Sequence, residues 1–119
     1  MRDHRSLEAW QEARKVSLAA LDACRTCWKP WAAALFGQFQ RAALSVQLNI
    51  AEGYALGGRK QFARHLRIAY GSAVETGELL ELAREKNVIP EETAREVIVA
   101  CSRCQRLLLG LIKRYRNLS

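Results

Sequence analysis

Histidine and proline are scarce in this chain, with two of each among 119 residues. Few prolines and a half-hydrophobic composition exclude a disordered or low-complexity chain and fit one globular domain, residues 1–119, with a single core. His65 sits between Arg64 and Arg67 with no carboxylate or cysteine at catalytic spacing, so it is expected to be a surface side chain. No P-loop, dinucleotide fingerprint or nucleophile elbow is present. Glu52 and Glu75 are expected at different heights and form no acid–base dyad. Neither a catalytic residue nor a cofactor is therefore expected. Long apolar runs are also missing. Leu107 to Ile112 is broken by Gly110 and falls well short of the roughly 20 residues a membrane span needs. MRDHRSLEAW has no apolar stretch behind its charges, so no targeting segment and a cytoplasmic, thiol-reducing location are expected.

What is present is apolar residues stepping by three and four. No segment alternates with period two, so no strand is expected. A first helix is predicted from Ser6, as N-cap, to Cys27, with a seam of Leu7, Trp10, Ala13, Ser17, Ala20, Leu21 and Cys24. Trp28, Pro30 and Trp31 then make a turn. A second helix is predicted over Ala34–Ala55, with a seam of Phe36, Phe39, Ala43, Val46 and Ile50, stopped by Gly57 and Gly58. A third is predicted over Lys60–Lys86, with Phe62, Leu66, Ala69, Ala73, Thr76, Leu80 and Ala83 facing inward. A fourth opens with Pro90 at its first position and Glu91 and Glu92 in its first turn. Its seam is Ala94, Val97, Cys101, Cys104, Leu108, Leu111 and Tyr115. Short connections between long helices predict an all-α, antiparallel up-down-up-down four-helix bundle.

Leu44, Leu48, Ile68, Leu79, Leu82, Ile98, Leu109 and Ile112 lie outside these seams. They predict either self-assembly through a second stripe or a broad core face. Arg41, Ser45, Asn49 and Glu52 form a polar stripe beside the second seam. Folding about Gly57–Gly58 sets Arg41 opposite Glu75 with Ser72 a turn away, and Glu52 near Arg64 or the loop amides. An Arg–carboxylate pair there would fix helix register, and the alternative is a ligand site.

Cys24-x-x-Cys27 and Cys101-x-x-Cys104 have zinc-like spacing. On the predicted bundle the pairs are offset by roughly 10 Å along the axis, which predicts no shared metal site. Cys101 and Cys104 are better read as small core hydrophobes.

Charge is unevenly spread. Residues 97–119 carry five basic and no acidic side chains, whereas 73–96 carry three basic and seven acidic ones. The predicted bundle gathers Arg2, Arg5, Arg59, Lys60, Arg64, Lys113, Arg114 and Arg116 at one end, with Arg103 and Arg106 on the flank of the fourth helix. These ten residues are the candidate nucleic-acid contacts, set against the reading of a solvated face or of a surface for an acidic protein partner. No recognition-helix, RNP-like or zinc-finger signature points to base-specific readout.

One stretch resembles a known family. Gln38-x-x-Arg41-Ala42-Ala43-x-Ser45-x-x-x-Asn49-Ile50-Ala51-Glu52-Gly53, followed by Phe62-x-x-x-Leu66-x-Ile68-Ala69-x-Gly71-Ser72-x-x-Glu75, is similar to bacterial four-helix-bundle proteins first noticed inside intervening sequences of large-subunit ribosomal RNA genes. Leu7-Glu8-x-Trp10-x-x-Ala13 extends the resemblance. These proteins are in turn similar to the accessory variability proteins of diversity-generating retroelements. The resemblance implies a ring-like homopentamer without enzyme activity. By analogy with the retroelement relatives it implies DNA or RNA and a reverse transcriptase as partners. Arg41, Ser45, Asn49, Glu52, Ser72 and Glu75 are family-typical positions.

Overall fold

The computed structural model describes residues 3–115. Two turns of 3-10 helix, His4–Ser6 and Pro30–Ala32, accompany four α-helices: α1 (Glu8–Cys27), α2 (Ala33–Leu56), α3 (Arg59–Glu85) and α4 (Glu91–Tyr115). Each helix packs on its sequence neighbours, and α1 closes the square against α4. The result is an antiparallel four-helix bundle of 44 × 21 × 20 Å. Among the described residues there is no strand, and no helix is long and apolar enough to cross a membrane.

The helix ends follow local chemistry. Asp3 caps the first 3-10 turn through the Arg5 amide, so α1 starts after Leu7 and Ser6 is not its N-cap. Gly57 and Gly58 take φ of 71° and 79°, which only glycine adopts without strain, and this lets α2 reverse directly into α3. At the end of α3 the Val88 amide donates to the Ala83 carbonyl (2.8 Å) and that of Asn87 to Arg84 (3.1 Å). Asn87, at φ 55°, provides the left-handed residue such a stop requires. The turn then tucks Val88 and Ile89 into the core. Pro90 sits one residue earlier than expected, just outside α4, where its carbonyl accepts from the Ala94 amide.

The expected seams of α2 and α3 are buried throughout. On α4 burial is complete from Ala94 to Leu108, whereas Leu111 and Tyr115 are half-buried. The seam of α1 is rotated from expectation. Ala9, Glu12, Ala13, Val16, Ser17, Ala20 and Ala23 face inward, and Leu21 is exposed. Alanines let the α1 backbone approach its neighbours closely, which leucines at the same positions would prevent. Two apolar clusters result. One gathers Phe36, Phe39, Leu80, Val88 and Ile89 at the end where α1 finishes. The other gathers Ala9, Ile50, Phe62, Leu66, Cys104 and Leu108 at the opposite end. Of the apolar residues outside the seams, Leu48, Ile68, Leu82 and Leu109 are exposed, while Leu44, Leu79, Ile98 and Ile112 are half-buried.

Candidate nucleic-acid interface and the polar seam behind it

The start of α1, the α2–α3 turn and the end of α4 meet at one end of the bundle, around Phe62. Arg59, Lys60 and Arg64 project from the first turns of α3, and Lys113 and Arg114 from the last turn of α4; all five are exposed. Among the described residues none of them has a carboxylate within ion-pair distance. Lys113 and Arg114 suit a helix C-terminus, whereas Arg59 and Lys60 oppose the dipole at a helix N-terminus that has no acidic residue in its first turn. Arg5 is exposed but pairs with Asp3 (3.6 Å). Arg2 and Arg116 lie outside the described residues.

Arg103 departs from the expected basic surface. Its guanidinium pairs with Glu8 (3.0 Å) and Glu12 (3.4 Å), bolting α4 to α1. Glu12 is only 8 % exposed, and Lys15 is its second partner (3.1 Å). Removing Arg103 would leave this largely desolvated carboxylate to Lys15, on its own helix, and break the tie between α1 and α4, so this arginine is structural. Arg106 is exposed and donates to Ser102 Oγ (2.9 Å).

The polar stripe lies between α2 and α3. Ser45 and Ser72 share a hydroxyl–hydroxyl hydrogen bond (2.8 Å). The Asn49 amide donates to the Ser45 carbonyl (2.9 Å) and Oγ (3.2 Å), which leaves Asn49 Oδ1 to accept from His65 Nδ1 (2.9 Å). His65 Nδ1 therefore carries a proton, and Nε2 lies 3.8 Å from Glu52 Oε1, a contact that becomes an ion pair only when Nε2 is protonated as well. Two expectations are corrected here. His65 is a core residue, 6 % exposed, rather than a surface one, and the basic side chain near Glu52 is His65 rather than Arg64. The spacing Phe62, His65, Leu66, Ala69 carried that signal, because it is the inward face of a helix.

Arg41 and Glu75 stand near one another but do not pair. Gln38 lies between them, accepting from Arg41 (2.9 Å) and donating to Glu75. Glutamine spans the gap with one donor and one acceptor, and Arg41 remains exposed. Gly53 has a packing role that spacing alone does not reveal. A Cβ there would lie 2.5 Å from His65 Cβ, so glycine is what admits the imidazole between the helices.

The thiols point to separate carbonyls: Cys24 to Phe36 (3.6 Å), Cys101 to Ala73 (3.3 Å) and Cys104 to Ala9 (3.5 Å). Cys101 and Cys104 are buried in the core, as the seam predicts. Burial, reinforced by the charges of Cys101 and Glu12, pushes the Cys104 thiol up from 9.0 to about 12. The pKa of a thiol in the unfolded chain stays near its ordinary value. The stability this gives is therefore fully present below pH 9 and is lost from there toward pH 12, at about 1.4 kcal/mol per pH unit. Urea unfolding at pH 8, 9 and 10 should show that decline, and Cys104→Ala should lessen it.

Residues 5–110 match the family profile described as 23S rRNA-intervening sequence protein. The chain belongs to that family. The match spans α1 to α3 and all but the last turn of α4, so the polar seam and the α3 half of the basic end fall inside it. Lys113 and Arg114 fall outside it. No curated protein matches this chain.

Proposed function

We propose that this intervening-sequence family member is a non-enzymatic, self-associating bundle that binds nucleic acid through its basic end without strong sequence preference. The observation that carries this reading is the group Arg59, Lys60, Arg64, Lys113 and Arg114, exposed together and free of carboxylate partners among the described residues. Unpaired cations of one sign in one place attract a polyanion by releasing its counterions. The polar seam supplies rigidity rather than chemistry, since its donors and acceptors are used between α2 and α3. Self-association is supported by Leu48, 59 % exposed, together with Ile68, Leu82 and Leu109. A ring of copies, as in the homopentamer implied by the resemblance, would repeat the basic end and add phosphate contacts.

A second reading, a protein-interaction scaffold, rests on the same exposed apolar side chains. Fluorescence anisotropy with duplex DNA, single-stranded DNA and structured RNA, from low to physiological salt, separates the two. Binding with a multi-charge salt slope is expected. No binding even at low salt would overturn the nucleic-acid reading and leave the scaffold.

A further inference from the structure

Within the basic end lies a cavity of about 200 Å³ between Tyr54, Phe62 and Tyr115, rimmed by Arg59 and the Gly57–Gly58 turn. Phe62 is buried and holds both tyrosine rings edge-on, Tyr54 at a centroid distance of 5.7 Å and 89° and Tyr115 at 5.1 Å and 74°. The aromatic walls are therefore positioned by the core. At Gly57 and Gly58 a Cβ would meet nothing within 4 Å, so the rim is open. Among the described residues no acidic side chain lines the cavity, and the charged side chain on its rim is Arg59, exposed and without a carboxylate partner. The volume is below the roughly 300 Å³ at which sites for drug-sized molecules begin, so it suits a single ring system.

We propose that this cavity receives one unpaired nucleobase, stacked against the tyrosine walls, with the adjoining phosphate held by Arg59. Planar aromatic walls beside a cation match a base joined to a phosphate, and every base offers a face for stacking whatever the sequence. The inference rests on the basic-end reading and deepens it from polyanion binding to a preference for unpaired strands or frayed ends. A base in a duplex is already stacked and would have to leave its partner to enter.

The test compares two single-stranded oligonucleotides of equal phosphate count, one with normal bases and one abasic, by anisotropy at fixed salt. The base-bearing strand should bind about 5- to 150-fold tighter. Tyr115→Ala and Tyr54→Ala should bring the two strands toward parity, while Tyr115→Phe keeps the preference. Circular-dichroism melts verify that each variant is folded. A 2-aminopurine at the strand terminus should change fluorescence on binding to the unsubstituted protein. Equal affinity for both strands would overturn the cavity's role and leave the basic-end reading standing. Failure of both strands to bind at low salt would overturn the two together.

Discussion

A variant carrying Arg59→Gln, Lys60→Gln, Lys113→Gln and Arg114→Gln is expected to lose most of its affinity for nucleic acid while remaining folded. On duplex DNA each phosphate contact contributes about 0.9 to the slope of log K against log salt, so four lost contacts should lower the slope by about 3.6, and by about 2.8 on single strands, where each contributes about 0.7. Near 0.1 M salt the same change weakens binding on the order of 10³-fold. Folding should be little affected. Arg59 and Lys60 oppose the dipole of α3, whereas Lys113 and Arg114 complement that of α4, so the effects on stability offset. A control altering Arg25, Lys29 and Lys86 lowers the net charge by three at the other end of the bundle. If that control weakens binding as much, net charge rather than the basic end is responsible.

The largest stability effect of a single small substitution is expected at Gly53. In Gly53→Ala the new methyl would stand 2.5 Å from His65 Cβ, an atom too close to the backbone to swing away. Relief requires α2 and α3 to separate locally, which stretches the His65–Asn49 hydrogen bond of 2.9 Å. Overpacking costs typically 1–3 kcal/mol, and a buried imidazole left without its acceptor adds to that. A loss of about 3 kcal/mol, or roughly 10 °C in melting temperature, is expected. Replacing the exposed Gly71, whose Cβ would meet nothing within 4 Å, by alanine should instead be neutral or slightly stabilising. Thermal melts of the two variants check both statements, and equal melting temperatures would refute the close-packing role of Gly53.

The helices of this bundle were legible where large apolar side chains mark the inward face. Phe36, Phe39 and Ile50 on α2, and Phe62, Leu66 and Leu80 on α3, make the seam plain from spacing alone. On α1 hydrophobicity pointed the wrong way. Leu18 and Leu21 are exposed while Glu12 is buried, because close approach favours the small Ala9, Ala13, Ala20 and Ala23, and because Arg103 compensates the carboxylate from a helix distant in sequence. Pairing heights along α2 and α3 could be counted from the Gly57–Gly58 turn, which placed Arg41 near Glu75. That count could not show Gln38 between them, since side-chain reach rather than height decides which atoms meet. Arg64 and Arg67, which point outward on the same turn, give His65 the look of a surface residue in the sequence. The aromatic cavity had no linear signature, since Tyr54, Phe62 and Tyr115 come from three helices and meet only when the bundle closes.

The rungs between α2 and α3 also impose an order of events on the folding chain. Measured from the glycine turn outward, His65–Asn49 closes a separation of 16 residues, Ser45–Ser72 one of 27 and Gln38–Glu75 one of 37. Each rung therefore lengthens the loop already closed by only about ten residues, a small entropic increment. The bonds joining α1 to α4, Arg103–Glu8 and Cys104–Ala9, each span 95 residues and gain nothing until the hairpin exists. The central pair can zip from its turn in correct alignment before the chain's outer helices commit, so a slip by one turn is rejected while it is still cheap to undo.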